Sequence, residues 1–312
     1  MEFEHVPVLL DRVVECLKVK EGALIVDGTL GLGGYSERFL QHNSSWNVIG
    51  IDRDKNAREI ALRRLESFDG RFRAIAGDFR DMRALCGTSG ADAVDAVVLD
   101  LGVSNMQLAD DGRGFSFRLD GPLDMRMDRE SGRASARSLV NEYSREALTD
   151  IFRRYGEERF AWSIAGEIVK EREKSAIETT SALAEVIRRG IPAPAMRRMS
   201  GHPARKVFQA LRIAVNDELG ALEDGLKGAF DLLAENGICI VVTYHSLEDR
   251  IVKRTFKEWC DAGKGVLAPR KSIVPDAEEI ERNPKSRSAR LRGFQKKKVE
   301  FPEGRLGPWR RF

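Results

Sequence analysis

Three aspartates close three successive apolar runs of the chain: Asp52 ends 48–52, Asp78 ends 72–78 and Asp100 ends 93–100. A fourth run, 23–27, leads into a loop that contains four glycines, at positions 28, 31, 33 and 34. Glycine lets backbone approach a ligand closely, and carboxylates can accept hydrogen bonds from the hydroxyl or amino groups of that ligand. A single acid at a strand end is often a turn or cap residue. Three in order beside such a loop favour a binding site.

The glycine loop matches neither common phosphate-binding pattern. The dinucleotide pattern G-x-G-x-x-G/A fails at Ser36, and the P-loop pattern fails because Gly34 stands where a lysine is needed. A ligand with a nucleoside and an amino-acid tail but no phosphate fits better, and S-adenosylmethionine is such a ligand. Asp52 would then accept from the ribose, Asp78 and Phe79 would hold the adenine, and methyl transfer would occur beyond Asp100.

The order of elements predicts an α/β fold. Apolar runs at 23–27, 48–52, 72–78 and 93–100 alternate with helical patterns, which is typical of a parallel sheet covered on both faces. From about residue 135 to 189 the pattern is helical throughout, and a strand returns only at 238–243. We therefore predict a Rossmann-like, mostly parallel methyltransferase core, residues 1–106 and 211–312, with an inserted all-helical domain, residues 107–210.

Composition is that of a soluble globular protein: 312 residues, 42% hydrophobic and 32% charged. The four cysteines form no CxxC pair, which predicts neither a zinc site nor disulfides, and no apolar run approaches the length of a membrane span. We expect a cytoplasmic protein that requires no metal. Basic residues cluster at 188–206 and at 270–312, which favours a polyanionic partner, although solvated faces would give the same pattern.

Ten segments of the chain, spread over nearly its whole length, resemble the RsmH (MraW) methyltransferases. The two most specific are DGPLDMRMD at 120–128 and HSLEDRIVK at 245–253. The others are HVPVLL (5–10), DGTLGLGG (27–34), DRD (52–54), LDLGVS (99–104), RGFSF (113–117), YGEERFA (155–161), HPARKVFQALRIAVNDEL (202–219) and NPKSRSARLR (283–292). The resemblance implies S-adenosylmethionine-dependent methylation of the N4 atom of a cytidine in the decoding region of bacterial 16S rRNA. It also implies that the helical insert recognises the substrate. We expect that substrate to be 16S rRNA within a small-subunit particle. The sequence does not distinguish a monomer from a homodimer.

The same resemblance assigns the cofactor contacts. Tyr35 departs from the histidine that is common in the family, and Asn105 replaces a commoner serine. We predict that the backbone of Tyr35 still contacts the cofactor and that its ring lies along the methionine end. The implied cofactor-binding residues are Gly33, Gly34, Tyr35, Asp52, Phe79, Asp100 and Gln107.

Cytosine N4 is a poor nucleophile because its lone pair is delocalised into the ring, so a hydrogen-bond acceptor near the amino group should help. Asp100 is the first candidate for that acceptor, followed by Ser104 and Asn105 on the same loop. His245 could face the target base or could bond only to neighbouring backbone. No Pro-Pro-aromatic motif follows Asp100, which argues against the class that methylates amino groups of DNA.

The basic clusters and the segment 120–128 supply the candidate RNA contacts. Each has a local alternative, since a charge can lie on a solvated face and His202 can serve the start of a helix. The alternatives for the whole protein are an RNA-binding assembly factor with a structural cofactor, or a methyltransferase of another nucleic acid. The candidates are Arg126, Arg197, Arg198, His202, Arg205, Lys285, Arg287, Lys296, Lys297 and Lys298.

Overall fold

The computed structural model describes residues 7–68, 70–102, 110–129 and 132–297. Its centre is a seven-stranded sheet in the order β3-β2-β1-β4-β5-β7-β6. The first five strands are parallel, and β7 runs antiparallel to both of its neighbours. This confirms the predicted α/β, mostly parallel core. The strands are β1 (Leu24–Asp27), β2 (Asn47–Asp52), β3 (Phe72–Ala76), β4 (Val94–Asp100), β5 (Leu233–Thr243), β6 (Gly265–Leu267) and β7 (Arg290–Lys296).

Helices cover both faces of the sheet because its central strands are apolar on both sides. Buried residues of α1 (Leu10–Cys16) and α2 (Gly34–His42) pack on one face. Those of α4 (Met82–Thr88), α11 (Glu218–Leu232) and α12 (Ser246–Asp261) pack on the other. The helices of this core are α1 (Leu10–Cys16), α2 (Gly34–His42), α3 (Lys55–Arg64), α4 (Met82–Thr88), α11 (Glu218–Leu232), α12 (Ser246–Asp261) and α13 (Ala277–Arg282). No helix in the part of the chain that the structure describes is both long and apolar enough to cross a membrane.

A helical unit lies between β4 and β5, as the sequence pattern predicts. Its own hydrophobic core contains residues from Phe115 to Val215. The last helix of the unit, α10 (Arg205–Asn216), contributes its apolar face to this core, and the chain turns at Asp217, with φ 51°. Its helices are α5 (Ala136–Glu142), α6 (Arg145–Gly156), α7 (Ala161–Arg172), α8 (Thr180–Arg189), α9 (Ala193–Met196) and α10 (Arg205–Asn216).

The order of the strands predicts a ligand-binding crevice at the carboxyl ends of β1 and β4. β1 lies between β2 and β4, so the connections that leave β1 and β4 diverge to opposite sides of the sheet. Open α/β sheets bind ligands in the crevice that such a divergence creates at the carboxyl ends of the strands. Asp27, Asp52 and Asp100 are the last residues of β1, β2 and β4 and therefore meet at this edge.

Candidate active site

A cavity of about 410 Å³ opens at the carboxyl edge of the sheet. Its walls come from the loops after β1, β2, β3 and β4, from the start of α11 and from the turn after β5. The cavity therefore joins the three predicted acids in one space. Lining residues that matter below are Pro7, Gly34, Tyr35, Asp52, Phe79, Asp100, Met127, Arg212, Glu218, Tyr244, Glu248 and Lys285.

The glycine loop brings bare backbone to this cavity. Gly33 has φ 82°, a left-handed conformation that glycine adopts without strain, and it caps the N-terminus of α2. A Cβ atom on Gly34 would lie 2.6 Å from Cγ of Pro7, so no side chain fits there. The first N–H groups of a helix have no acceptor within the helix, and those of α2 can bind a ligand carboxylate.

Asp52 ties the glycine loop to the end of β2. Its Oδ2 accepts from the backbone N–H of Gly31 at 2.8 Å, and its Oδ1 accepts from that of Asp54 at 2.8 Å. Burial raises the pKa of Asp52, and these backbone bonds partly oppose that effect. Each carboxylate oxygen keeps a further lone pair, as a partner for ribose hydroxyls requires.

Phe79 forms an apolar wall of the cavity, and Asp78 lies beside it. The Phe79 ring occupies the space that a side chain at Gly225 would need, since a Cβ there would lie 2.5 Å from its Cδ2. Asp78 is paired with Arg53 at 3.1 Å and caps the turn that begins at Phe79. The apolar ring therefore has a polar neighbour, which suits the face and the edge of an adenine.

Asp100 is the most perturbed acid of the site. Burial raises its pKa to about 8, with contributions from the charges of Asp27 and Glu248, while a hydrogen bond from Tyr244 opposes the rise. That bond runs from the Tyr244 hydroxyl to Oδ1 of Asp100 at 2.7 Å. Burial also raises the pKa of Asp27 to about 6, against the hydrogen bond that it accepts from Ser36 at 2.7 Å. The site therefore favours positive charge on a ligand.

His245 caps α12 and does not line the cavity. Its Nδ1 accepts from the Glu248 backbone N–H at 3.4 Å. Nε2 lies 3.1 Å from a carboxylate oxygen of Glu248 in a direction that makes no hydrogen bond. The local alternative for His245, a bond to neighbouring backbone, is thus present.

Glu218, His245 and Glu248 bring potential metal ligands within 4.8 Å of one another. Arg212 already supplies positive charge there, because its guanidinium donates to both carboxylate oxygens of Glu218 at 2.8 Å. Burial alone would raise the pKa of Glu248, but His245 and Arg212 hold it below its usual value. Arg212 therefore offsets part of the negative charge of the two carboxylates in this cluster.

Tyr35 lines the cavity and is otherwise buried, 4% exposed. Its hydroxyl donates to the backbone carbonyl of Val8, which fastens the N-terminal segment to α2. Its ring packs on Phe39 with centroids 6.1 Å apart. The cofactor role that we predict for it stays a prediction, and Ser104, Asn105, Gln107 and Lys298 lie outside the described residues.

The RNA candidates of the helical insert divide into free and engaged side chains. Arg197 and Arg198 are exposed on the segment that leads into α10, and Arg205 is exposed as the first residue of that helix. Two candidates are engaged instead. His202 stacks on Phe117 with ring centroids 4.4 Å apart, and its Nδ1 accepts from the Ala204 backbone N–H at 3.2 Å, which is the helix-start role. Arg126 donates to both carboxylate oxygens of Asp124. The first group suits phosphate contacts better than Arg126 does.

The basic residues of the C-terminal segment lie at opposite edges of the sheet. Lys285 lines the cavity and Arg287 is exposed beside it, just before β7 begins at the carboxyl edge. Because β7 runs antiparallel, Lys296 and Lys297 lie at the far edge. Lys296 donates to the carbonyls of Phe230 and Leu233 at 2.9 and 2.7 Å, and burial lowers its pKa. This is a structural role for Lys296, and it does not favour an RNA contact.

Sequence reasoning missed Tyr244, Arg212 and Glu218 as residues of the site. The segment 202–219 is one of the motifs of the sequence, but nothing in its spacing shows that Arg212 and Glu218 reach the cavity at the carboxyl edge of the sheet. Tyr244 follows β5 directly and could have been found by the rule that identified Asp100, since both stand at the carboxyl end of a central strand.

The donor set fits S-adenosylmethionine. The bare backbone of Gly34 at the start of α2 suits its methionine end, Asp52 suits its ribose, and the Phe79 wall suits its adenine. A cationic ligand favours the ionised form of Asp100, whose pKa burial and the charges of Asp27 and Glu248 raise to about 8.

Comparison with known proteins agrees with this reading. The model of the MraW methylase family matches residues 2–297. Two relatives named ribosomal RNA small subunit methyltransferase H are similar over almost their whole length. The one from Carboxydothermus hydrogenoformans is 46% identical over 311 residues, 95% of this chain and 99% of the relative. The one from Symbiobacterium thermophilum is 45% identical over 312 residues, 95% and 98% of the two chains. The chain therefore belongs to the MraW methylase family.

Proposed function

We propose that this protein uses S-adenosylmethionine to methylate the N4 atom of a cytidine in the decoding region of bacterial 16S rRNA. The observation that carries the proposal is Asp100. It ends a central strand, lines the cavity that fits the cofactor, and has a pKa raised to about 8 by burial. Such perturbed acids in a cleft are typical of reacting groups. Family membership and the names of the relatives support the RNA substrate.

The cofactor supplies an electrophilic methyl group on a sulfonium. The residues of this chain have to orient the cytosine amino group and manage its proton. Ionised Asp100 accepts a hydrogen bond from the N4 amino group and so strengthens the lone pair that attacks. It then takes the proton that N4 loses after the N–C bond has formed, and its raised pKa favours that transfer. Positioning of the two reactants contributes most of the rate.

RNA reaches this cavity across the face that bears the exposed cations. Arg197, Arg198 and Arg205 belong to the insert, and Lys285 and Arg287 lie at the carboxyl edge. Phosphate contacts from these side chains hold the strand without reading its sequence. The target base leaves the stack, as enzymes that modify a base require. We take a small-subunit particle as the substrate, and free rRNA is the alternative to it.

The test compares Asp100→Asn with the wild type on small subunits from cells that lack the protein. Nucleoside mass spectrometry measures N4-methylcytidine, and filter binding measures RNA affinity. We expect the variant to lose methylation and to retain RNA binding. Asp92→Asn is the control, because the Asp92 side chain is 90% exposed and lies away from the cavity.

Two other outcomes identify the alternatives. A fully active Asp100→Asn variant refutes the assignment of Asp100. Wild-type protein that binds the particle without methylating it favours an assembly factor with a structural cofactor, and methylation of another RNA or of DNA changes the substrate.

A further inference from the structure

We propose that Tyr244 is a positioning residue of the reaction: its hydroxyl holds one oxygen of Asp100, so that the other oxygen faces the cytosine amino group. The inference deepens the proposed function and rests on it. Tyr244 is the residue after β5, the sheet neighbour of the strand that Asp100 ends. The hydrogen bond from the Tyr244 hydroxyl to Oδ1 of Asp100 measures 2.7 Å.

Tyr244 is itself held in place through its backbone and through its ring. Its backbone N–H donates to Oε2 of Glu248 at 2.8 Å, and Glu248 is held in turn by the capping box with His245. Its ring lies against the backbone of Gly102, where a Cβ would lie 3.3 Å from Cδ2 of the ring. The cap of α12 thereby fixes the hydroxyl, and the hydroxyl fixes Asp100.

The direction of this hydrogen bond has a chemical consequence. Burial, together with the nearby charge of Asp100, keeps the pKa of Tyr244 well above its usual value, so the hydroxyl stays protonated and donates at neutral pH. A donated hydrogen bond stabilises the ionised carboxylate. It also occupies one of the two oxygens. The remaining oxygen can accept from N4, and the carboxylate cannot rotate away from that position.

Four titratable groups face Asp100 from the elements around it. Asp27 of β1 and Glu248 of α12 raise its pKa by their negative charge, and Tyr244 lowers it. Tyr35 of α2 is close enough that the charge of Asp100 raises its own pKa. Of these groups, Tyr244 is the one that donates a hydrogen bond to the Asp100 carboxylate. Removal of the Tyr244 hydroxyl should therefore raise the pKa of Asp100. It should not act directly on the pKa of any of the other groups named here.

The experiment uses Tyr244→Phe, which keeps the ring against Gly102 and removes the hydroxyl. We expect kcat for methylation of small subunits to fall by roughly 10- to 100-fold, with KM for the particle unchanged, as for loss of a hydrogen bond to a charged group. The acid limb of the kcat profile should move upward by about one to two pH units. Tyr143→Phe is the control, because Tyr143 is 40% exposed and remote from the cavity.

A second arm separates this proposal from the proposed function. The affinity for S-adenosylmethionine, measured by calorimetry from pH 7 to 9, reports Asp100 without any RNA. In the wild-type background, Tyr244→Phe should move the pH dependence of this affinity to higher pH. In the Asp100→Asn background, the same substitution should leave the pH dependence unchanged. A wild-type pH dependence in Tyr244→Phe, in a variant whose melting temperature is retained, overturns the role of Tyr244. If the shift occurs while no cytidine is methylated by the wild type, the proposed function has failed and the coupling of the two residues stands.

Discussion

Binding of S-adenosylmethionine should release a proton from Asp100. In the free protein the pKa of this carboxyl is about 8, because it is buried beside Asp27 and Glu248. A cofactor with a positive charge on sulfur binds the ionised form better, so affinity has to rise with pH until Asp100 is fully ionised. The perturbation is pH itself, and Asp100→Asn removes the titrating group while keeping its shape.

The size of the effect follows from the fraction of protein that is ionised. With a pKa of about 8, roughly one molecule in ten carries an ionised Asp100 at pH 7, and nearly all do at pH 9. If only that fraction binds, the apparent Kd should tighten about tenfold between pH 7 and pH 9. At pH 7 binding should release close to one proton. Asp27, with a pKa of about 6, is largely ionised over this range and adds little.

Isothermal titration calorimetry in buffers of different ionisation enthalpy measures both the Kd and the number of protons released. The α-amino group of the ligand also titrates near pH 8. S-adenosylhomocysteine carries the same amino group without the sulfonium charge and should therefore show a weaker dependence. Asp100→Asn should show only the dependence due to the amino group. Equal slopes for Asp100→Asn and the wild type between pH 7 and 9 would refute this account of the site.

Three further predictions concern the loop, the insert and the RNA. Gly34→Ala should weaken cofactor binding by about tenfold or more, since its Cβ would displace Pro7 from the cavity wall, and calorimetry at pH 8 measures this. Asn216→Ala should lower the free energy of unfolding by about 2–4 kcal/mol, as urea denaturation can show, because its buried amide bonds the backbone of the segment 125–127; an unchanged midpoint would contradict this. Replacing Arg197 and Arg198 by glutamine should reduce the slope of log K for RNA against log salt by about 1.5, whereas a slope equal to the wild type would exclude both from phosphate contact.

The sequence was sufficient to place the site residues that stand at the carboxyl end of a strand or in the turn that follows it. Asp52, Phe79 and Asp100 could be placed because parallel strands end at one edge of the sheet, which is a rule of topology. Arg212 and Glu218 could not be placed from the sequence. Their approach to the cavity depends on the turn at Asp217 and on how α10 packs within the insert. Such packing is decided by shape, which a single sequence does not display.

The clusters of basic residues indicated a polyanionic partner, but they did not show where in the fold each basic residue lies. Lys285 and Lys296 belong to one basic segment, yet the antiparallel course of β7 carries them to opposite edges of the sheet. Lys285 reaches the cavity, whereas Lys296 caps the carbonyls at the end of α11. A count of positive residues gives both the same weight. Only the direction of the strand that joins them distinguishes a lysine that lines the cavity from a lysine with a structural role.

The cofactor cavity and the helical insert share a wall, and Met127 is the residue where they meet. It lines the cavity, its backbone N–H donates to the buried amide of Asn216 at 2.8 Å, and Arg113 donates to its carbonyl at 2.8 Å. Arg53, the residue after Asp52, contacts its sulfur at 2.6 Å. A displacement of the insert therefore cannot leave the cofactor wall unchanged. In this fold the helical insert, which carries the exposed Arg197, Arg198 and Arg205, therefore also contributes to the wall of the cavity.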